Sequence, residues 1–578
     1  MLIPNFRSSL VITVGFLLLG ACGGSGDDEP VDDGATGVGG SGPGDSVGGS
    51  DGGGSDTGGT NSSGGLNAMG ASGGAGQGAE SSGGESSHAT GGVASSGGDG
   101  SGGAQVSACE NTSPVLSVEL LAETSIANLG APFDTNARDL QGPLDWGPQY
   151  GKSPEIIPWS SGETLDVLFQ DQESDEFAYL VHIAEVGQAY EVTRSYRIGS
   201  LGRVMGLTRD SGGSYYVATG VDEDEMVDAV YPPNGVHRPD IVRIVKFNES
   251  GCVLMESDVD IARGEADSDS DIIVNPMVAA SSRLVWGGDR LLLVHGNNTE
   301  PDPELDGTRH QKAMSTHLNA LDGSVTRTAT MWASHSFDQR ALFDGTGFVE
   351  LHLGDAYPRY VALGHYNDAG GDGAYAAYKI KGETGANNTF TRLGGVVQSS
   401  DPTYGYMALF ATERSAEVSS ELVGGTRDVA LVRIQSNFMS QGTNSLIVEE
   451  SDAVSAQTVS SAGESETNYL RWLTDLGSNM HAERPRITAL GGDAYVVLYE
   501  QWSVSGEEDN YEGTFALALD GAGTVTGEPT EVPGEHHIGR GDDIATLGGR
   551  AVYVTGGSDA LYLNLVAADL SSERITLP

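Results

Sequence analysis

Gly491-Gly492-Asp493-Ala494-Tyr495-Val496-Val497-Leu498-Tyr499 is a turn running straight into six residues of nearly unbroken β-prone sequence. Glycine and aspartate supply the backbone freedom of a tight turn, and the Tyr/Val/Leu run after it suits a strand covered on both faces. The same phrase recurs along the chain. Ser161-Gly162-Glu163 precedes residues 164–169, Ser211-Gly212-Gly213 precedes 214–219, and Gly287-Gly288-Asp289 precedes 290–294. Asp344-Gly345-Thr346-Gly347 precedes 348–353, Tyr404-Gly405 precedes 406–411, and Gly548-Gly549 precedes 550–555. Each run has a partner further on: residues 177–183, 240–247, 311–318, 375–380, 428–434, 514–519 and 561–566. Helical periodicity is almost absent.

Units of paired strands spaced by roughly 50 to 90 residues point to an all-β head in which small sheets repeat around an axis. The spacing resembles a β-propeller as an architecture, although no Trp-Asp, kelch or Asp-box signature is present. The resemblance implies seven blades, with six or eight as neighbouring counts. The competing architecture is a pair of β-sandwiches. The last unit, residues 550–578, reads as one strand short, and the run 115–121 is expected to supply that strand and close the ring.

The head does not start at residue 1. Arg7 is followed by an apolar run from Leu10 to Leu19 and by Leu19-Gly20-Ala21-Cys22. A short charged head, a hydrophobic segment and small residues read as a secretory signal over residues 1–21. The four residues ending in Cys22 resemble the lipobox of bacterial lipoproteins. That resemblance implies a lipidated Cys22 (diacylglyceryl on sulfur, palmitate-type acylation of the new amino terminus) holding the chain on a lipid bilayer. Gly23, Gly24 and Ser25 place no Asp next to Cys22, the pattern of cargo sent to the outer membrane, on its periplasmic or its surface face. An ordinary signal peptide is the alternative.

Residues 22–107 form the second segment. Past Cys22 it contains 32 Gly, 16 Ser and 11 Asp or Glu, with no Lys, Arg or aromatic residue. Such a stretch cannot bury enough apolar surface to offset its ordering entropy, so it is expected to be a disordered tether spanning roughly 50 Å. The third segment, 108–578, is the folded head. It keeps Cys109 and Cys252, and an oxidising envelope makes a Cys109–Cys252 disulfide the expectation, against two buried thiols.

Charge narrows the partners. The 578 residues carry 30 Lys+Arg against 81 Asp+Glu, a formal −51. A nucleic-acid partner and adhesion to anionic headgroups both need a basic surface, which this chain does not have.

Six of the 12 histidines fall between His295 and His365. The least generic residues there are His310, His335, Arg340, His352, Asp355 and Arg359. Imidazoles serve as general bases, and guanidiniums bind anions through planar forks, so these six are the candidate ligand-binding or catalytic residues. The bland alternative is that they hydrogen-bond neighbouring blades together. Asp267, Asp269 and Asp271 alternate like the start of a calcium loop. Ile272 and Val278 stand where an EF-hand needs Gly and Glu, so a solvated acidic loop competes with a Ca2+ site there, and no cofactor is otherwise required. Arg540-Gly541-Asp542 is read as a chance match, and His536-His537 is set aside as a metal pair because adjacent residues point opposite ways on a strand and rarely share one ion. The function expected is a membrane-anchored lipoprotein whose head binds a protein or glycan partner. An exported hydrolase, lyase or transferase and a structural envelope component are the alternatives.

Overall fold

A computed structural model describes residues 118–129, 132, 154–171, 176–220, 241–260, 281–298, 311–334, 336–354, 360–366, 374–379, 391–401, 404–413, 427–436, 438, 458–459, 465–466, 470–505, 508–557 and 559–578. The described residues form strands, with one short 3-10 turn at Ile126–Asn128. The first sheet holds β1 (Val118–Leu121), β2 (Ile156–Ser160), β3 (Leu165–Gln170), β4 (Phe177–Val186) and β5 (Ala189–Gly199), in the order β1-β5-β4-β3-β2. The second holds β6 (Arg203–Arg209), β7 (Tyr215–Gly220), β8 (Ile241–Phe247) and β9 (Val253–Asp260). The third holds β10 (Arg283–Gly287), β11 (Arg290–Asn298), β12 (Gln311–Asn319) and β13 (Val325–Ser334). The fourth holds β14 (Ser336–Phe343), β15 (Phe348–Gly354), β16 (Tyr360–Tyr366) and β17 (Ala374–Lys379).

An eight-stranded sheet follows. Its first half is β18 (Arg392–Gln398), β19 (Tyr406–Glu413) and β20 (Arg427–Ile434); a two-stranded ribbon, β21 (Thr458–Val459) and β22 (Ser465–Glu466), stands apart. Its remaining strands are β23 (Leu470–Trp472), β24 (Met480–Gly491), β25 (Ala494–Ser505), β26 (Glu508–Leu519) and β27 (Thr530–Val532). β23 pairs with β20 and so completes the first half as a fourth strand, and the halves are joined by a single parallel bridge, Arg427 to His481. They do not lie flat. Met407 and Leu409 of β19 share one buried cluster with Val497 and Tyr499 of β25, so the halves face each other as two packed layers. The last sheet is β28 (Ala545–Leu547), β29 (Arg550–Gly556), β30 (Leu561–Val566) and β31 (Ser572–Leu577).

Period-2 alternation makes each strand serve two interfaces. Tyr406, Ala408 and Phe410 of β19 pack on the fourth sheet, while Met407, Leu409 and Ala411 pack on β24 to β26. Leu165, Val167 and Phe169 of β3 pack against Val552, Val554 and Leu563 of the last sheet. Leu168, Leu180 and Tyr196 face Val204, Tyr215 and Phe247 of the second. The apolar core is thus a series of wedges between neighbouring sheets, which explains the runs of continuous apolarity.

The arrangement is a β-propeller. The strand that opens each meander touches its counterpart in the next: β2 with β6, β6 with β10, β10 with β14, β14 with β18, β18 with β24, β24 with β28, and β28 with β2. Five four- or five-stranded sheets stand separately, and the expected count of seven separate units is therefore not what the sheets display.

The expected closing strand needs correction. β1 pairs antiparallel with β5, Val118 opposite Ile198, on the outer edge of the first sheet. The last sheet is complete without it, because the final residues 572–577 form their own strand on β30. Closure is made by short polar contacts. The Ile126 amide donates to the Pro578 carbonyl (2.7 Å), and the Gly548 amide donates to Gly162 (2.8 Å). One carboxylate oxygen of Asp542 accepts from the Glu155 and Ile156 amides (2.9 and 3.1 Å), joining the loop before β28 to the start of β2. Asp542 belongs to the tripeptide read as a chance match, and its work is structural.

Hydrogen bonds to a charged acceptor contribute about 1.5–3 kcal/mol each. Asp542→Ala is expected to lower unfolding free energy in urea by about 2–4 kcal/mol, while Asp569→Ala, in an exposed turn, leaves the midpoint close to that of the parent. Equal midpoints for the two variants would contradict this closure.

Candidate functional site

The opening strands enclose a cavity of about 800 Å3 lined by β2, β6, β10, β14, β24 and β28. Pro158, Trp159, Leu207, Trp286 and Phe343 give it apolar walls, and Thr208, Thr488 and Thr546 add hydroxyls. Trp159 and Trp286 are only half-buried. β6 lies between their strands, and the chain there comes very close to β10: a Cβ on Gly206 would sit 2.3 Å from the Leu284 Cβ. This volume and composition suit a small ligand.

One end of the cavity is closed by charge. Each opening strand has a charged residue immediately before its apolar residues: Glu155, Arg203, Arg283, Arg340, Arg392, Arg486 and Asp543. Arg283 ion-pairs with Asp543 and donates to the Gly541 carbonyl (2.7 Å). Arg340 ion-pairs with Asp338, approaches Asp543 through Nε (3.2 Å) and donates to the Gln339 carbonyl (2.7 Å). Arg486 donates to the carbonyls of Gly539, Arg540 and Asp542 (2.9, 2.6 and 2.6 Å). Burial, reinforced by the nearby Arg340 cation, pulls the Arg486 guanidinium down to about 9. Burial alone would raise the Asp543 carboxyl, but Arg283, Arg340 and Arg486 outweigh it and hold Asp543 below the usual carboxylate range. The Asp543 side chain is 37% exposed, against 7% for Arg283 and 4% for Arg340, so a carboxylate backed by guanidiniums faces the cavity.

Beyond this floor, Glu483 accepts from Arg392 (2.9 Å) and ion-pairs with Arg427. Arg484 has a left-handed φ of 48° inside a bulge of β24. It is held there by Glu500 and the Ile538 carbonyl, each at 3.2 Å. Such strain persists only where the surroundings over-determine it. Here it lets Glu483 and Arg486 reach different neighbours from adjacent turns of chain.

Two of the six sequence-derived candidates are described, and the fold separates them. Arg340 stands opposite Leu351, and Gln339 opposite His352, so Arg340 and His352 point to opposite faces of the fourth sheet. Arg340 belongs to the charged end of the cavity, with Asp338 and Asp543. His352 is fully buried, with Nε2 3.2 Å from Glu350. Glu350 also accepts from Ser315 of the third sheet, and Gln339 donates to the His295 carbonyl (3.2 Å). His310, His335, Asp355 and Arg359 lie outside the described residues, as do Asp267, Asp269 and Asp271 of the acidic loop, Cys22 and Cys109. Cys252 lies in the turn before β9. Among the described residues no group of three or more His, Cys, Asp or Glu could hold a metal ion. His537 is buried against Tyr511, ring centroids 4.2 Å apart, and lies 3.5 Å from Glu500.

Trp159, Trp286, Arg283, Arg486 and Asp543 were not singled out by sequence. The opening strands are broken by Pro158, Gly206, Gly394 and Gly395, so they lack the apolar run that marks the second and third strands. The signal that does find them is the recurring charged residue followed at once by an apolar one.

No family model and no curated protein matches this chain. Among solved structures it is similar to the Pseudomonas aeruginosa periplasmic gluconolactonase PpgL, with 13% identity, a TM-score of 0.34, and coverage of 74% of this chain and 98% of that one. A putative 6-phosphogluconolactonase from Bacteroides uniformis gives 12% identity and 0.34, covering 73% and 95%. The GH93 α-L-arabinofuranosidase of Fusarium graminearum gives 9% and 0.32, covering 69% and 98%. At these values the likenesses carry no argument about chemistry, and the site rests on its own geometry.

Removing His352 leaves a fully buried Glu350 with Ser315 alone. His352→Ala is expected to cost about 3 kcal/mol or more in urea unfolding, and a variant as stable as the parent would show that Glu350 does not depend on it. Burial holds His295 down to about 4, with Nε2 and Nδ1 bonded to Thr316 and the Gly296 carbonyl. In the unfolded chain its pKa is about 6.5, so between these values the unfolded state binds more protons. Its contribution is therefore fully present above about pH 6.5 and shrinks toward pH 4, at up to about 1.4 kcal/mol per pH unit. His295→Asn should flatten the acid limb of the stability–pH curve. An unchanged slope would contradict a neutral buried imidazole.

Proposed function

We propose that this chain is an envelope lipoprotein, anchored through an acylated Cys22 in the outer membrane. Residues 22–107 are its tether, and its propeller head binds a glycan in the central cavity. The cavity carries the reading: half-buried Trp159 and Trp286 offer aromatic faces to sugar rings, while Asp543 and the threonine hydroxyls offer acceptors and donors. Aromatic surface with a few fixed polar groups is the usual make-up of a small-ligand site. The blade count is seven on this reading, because the eight-stranded sheet packs on itself as two layers. Cys252 is disulfide-bonded, which supports a Cys109–Cys252 pair tying the root of the tether to the second sheet. No helix among the described residues is long and apolar enough to cross a membrane, so the acyl chains would supply the attachment.

An exported hydrolase or transferase is the second reading, and Asp543 is the observation that bears on it. A carboxylate facing a cavity between arginines could assist an acyl or glycosyl transfer. A group held below the ordinary range is a weak general base near neutrality, so the same feature favours binding.

Two experiments test the proposal. Globomycin should leave an uncleaved precursor, and an unchanged size and membrane partitioning would contradict the anchor. On a glycan array, the detergent-solubilised full chain should retain a saccharide that the Trp159→Ala and Trp286→Ala variants bind about tenfold or more weakly. Unaltered binding by both variants would move the site away from the cavity.

A further inference from the structure

The floor of the cavity carries information about ligand charge. Arg283, Arg340 and Arg486 crowd this end, and an arginine cluster ordinarily suggests an anion site. Here the side chain that reaches the cavity is Asp543, 37% exposed, while the guanidiniums of Arg283 and Arg340 lie behind it at 7% and 4%. Both already hold carboxylates: Arg283 donates to Asp543 through Nη2 (3.0 Å), and Arg340 pairs with Asp338 and with Asp543. Arg486 is occupied by backbone carbonyls.

We propose that Asp543 sets the ligand class of the cavity, accepting hydroxyl hydrogen bonds from an uncharged sugar and turning away sugars that carry carboxylate, sulfate or phosphate. This rests on the cavity being a saccharide site. An ionised carboxylate is an acceptor only, with lone pairs left over after its two arginine contacts, so it matches hydroxyl donors. An anionic sugar would bring like charge against it, while Arg283 and Arg340 are already engaged by carboxylates and Arg486 by carbonyls. The overall charge of −51 adds a long-range field of the same sign.

The groups facing Asp543 are Arg283 from β10, Arg340 and Asp338 from β14, Arg486 from β24 and the adjacent Asp542. None of them is a histidine. The acceptor therefore stays ionised through the mildly acidic range.

The test is a tryptophan-fluorescence titration of the full chain in detergent with cellotetraose, xylotetraose and mannotetraose, set against tetragalacturonate. At least one neutral tetrasaccharide should saturate, with tetragalacturonate about tenfold or more weaker. The neutral affinity should change less than about twofold from low to high salt, and from about pH 7 to about pH 5. Asp543→Asn should weaken the neutral sugar about tenfold or more and narrow the gap to the uronate. If that variant does not fold, the salt and pH arms on the unaltered protein still decide. Uronate binding as tight as neutral binding, or tighter and lost with salt, overturns the role of Asp543. Silence from every sugar contradicts the saccharide reading itself, which is a separate result.

Discussion

A ring of sheets must close on itself, and in this chain no strand is shared between the first sheet and the last. The joint is made near the axis, where the Asp542 carboxylate takes the amides of Glu155 and Ile156. At the other end of β2 and β28 the Gly548 amide donates to Gly162, and the Ile126 amide donates to Pro578 across the same seam. The wedge formed by Phe169, Val552 and Leu563 supplies apolar burial, but burial is non-directional and does not fix registry. The hydrogen bonds do. If the seam opened, the first and last sheets would each expose a face meant for the interior.

The same loop also closes the cavity. Residues 539–543 give Arg486 and Arg283 their carbonyl acceptors and place Asp543 between Arg283 and Arg340. Burying three guanidiniums side by side is costly unless acceptors surround them, and burial lowers the Arg486 pKa. Closure and site construction are one arrangement. The contacts that lock the ring also leave the Asp543 carboxylate looking into a tryptophan-lined space.

Much of this was legible in the sequence. The turn-and-run phrases mark the second and third strands of each meander, since those strands are buried on both faces and must be apolar throughout. The opening strands were missed because one side of them faces a cavity. Pro158, Gly206 and Gly394 are tolerated there, and Arg283 and Arg340 are needed there. Within the run at 115–121, Val118–Leu121 forms a strand, but propensity does not choose an edge, and β1 sits on β5 instead of the last sheet. The histidine-rich segment drew attention by composition. Strand alternation then sent His352 into a wedge and Arg340 to the axis, a division that depends on register and cannot be read from residue types.

Native-state hydrogen exchange at the Ile156 amide measures the seam most directly. If closure at the axis is what the ring depends on, this amide should exchange only through global unfolding, with a free energy matching that from urea and the same denaturant dependence. Exchange at a much lower free energy, insensitive to urea, would mean that the seam opens locally while the sheets persist, and that the Asp542 contacts are not what holds the ring shut.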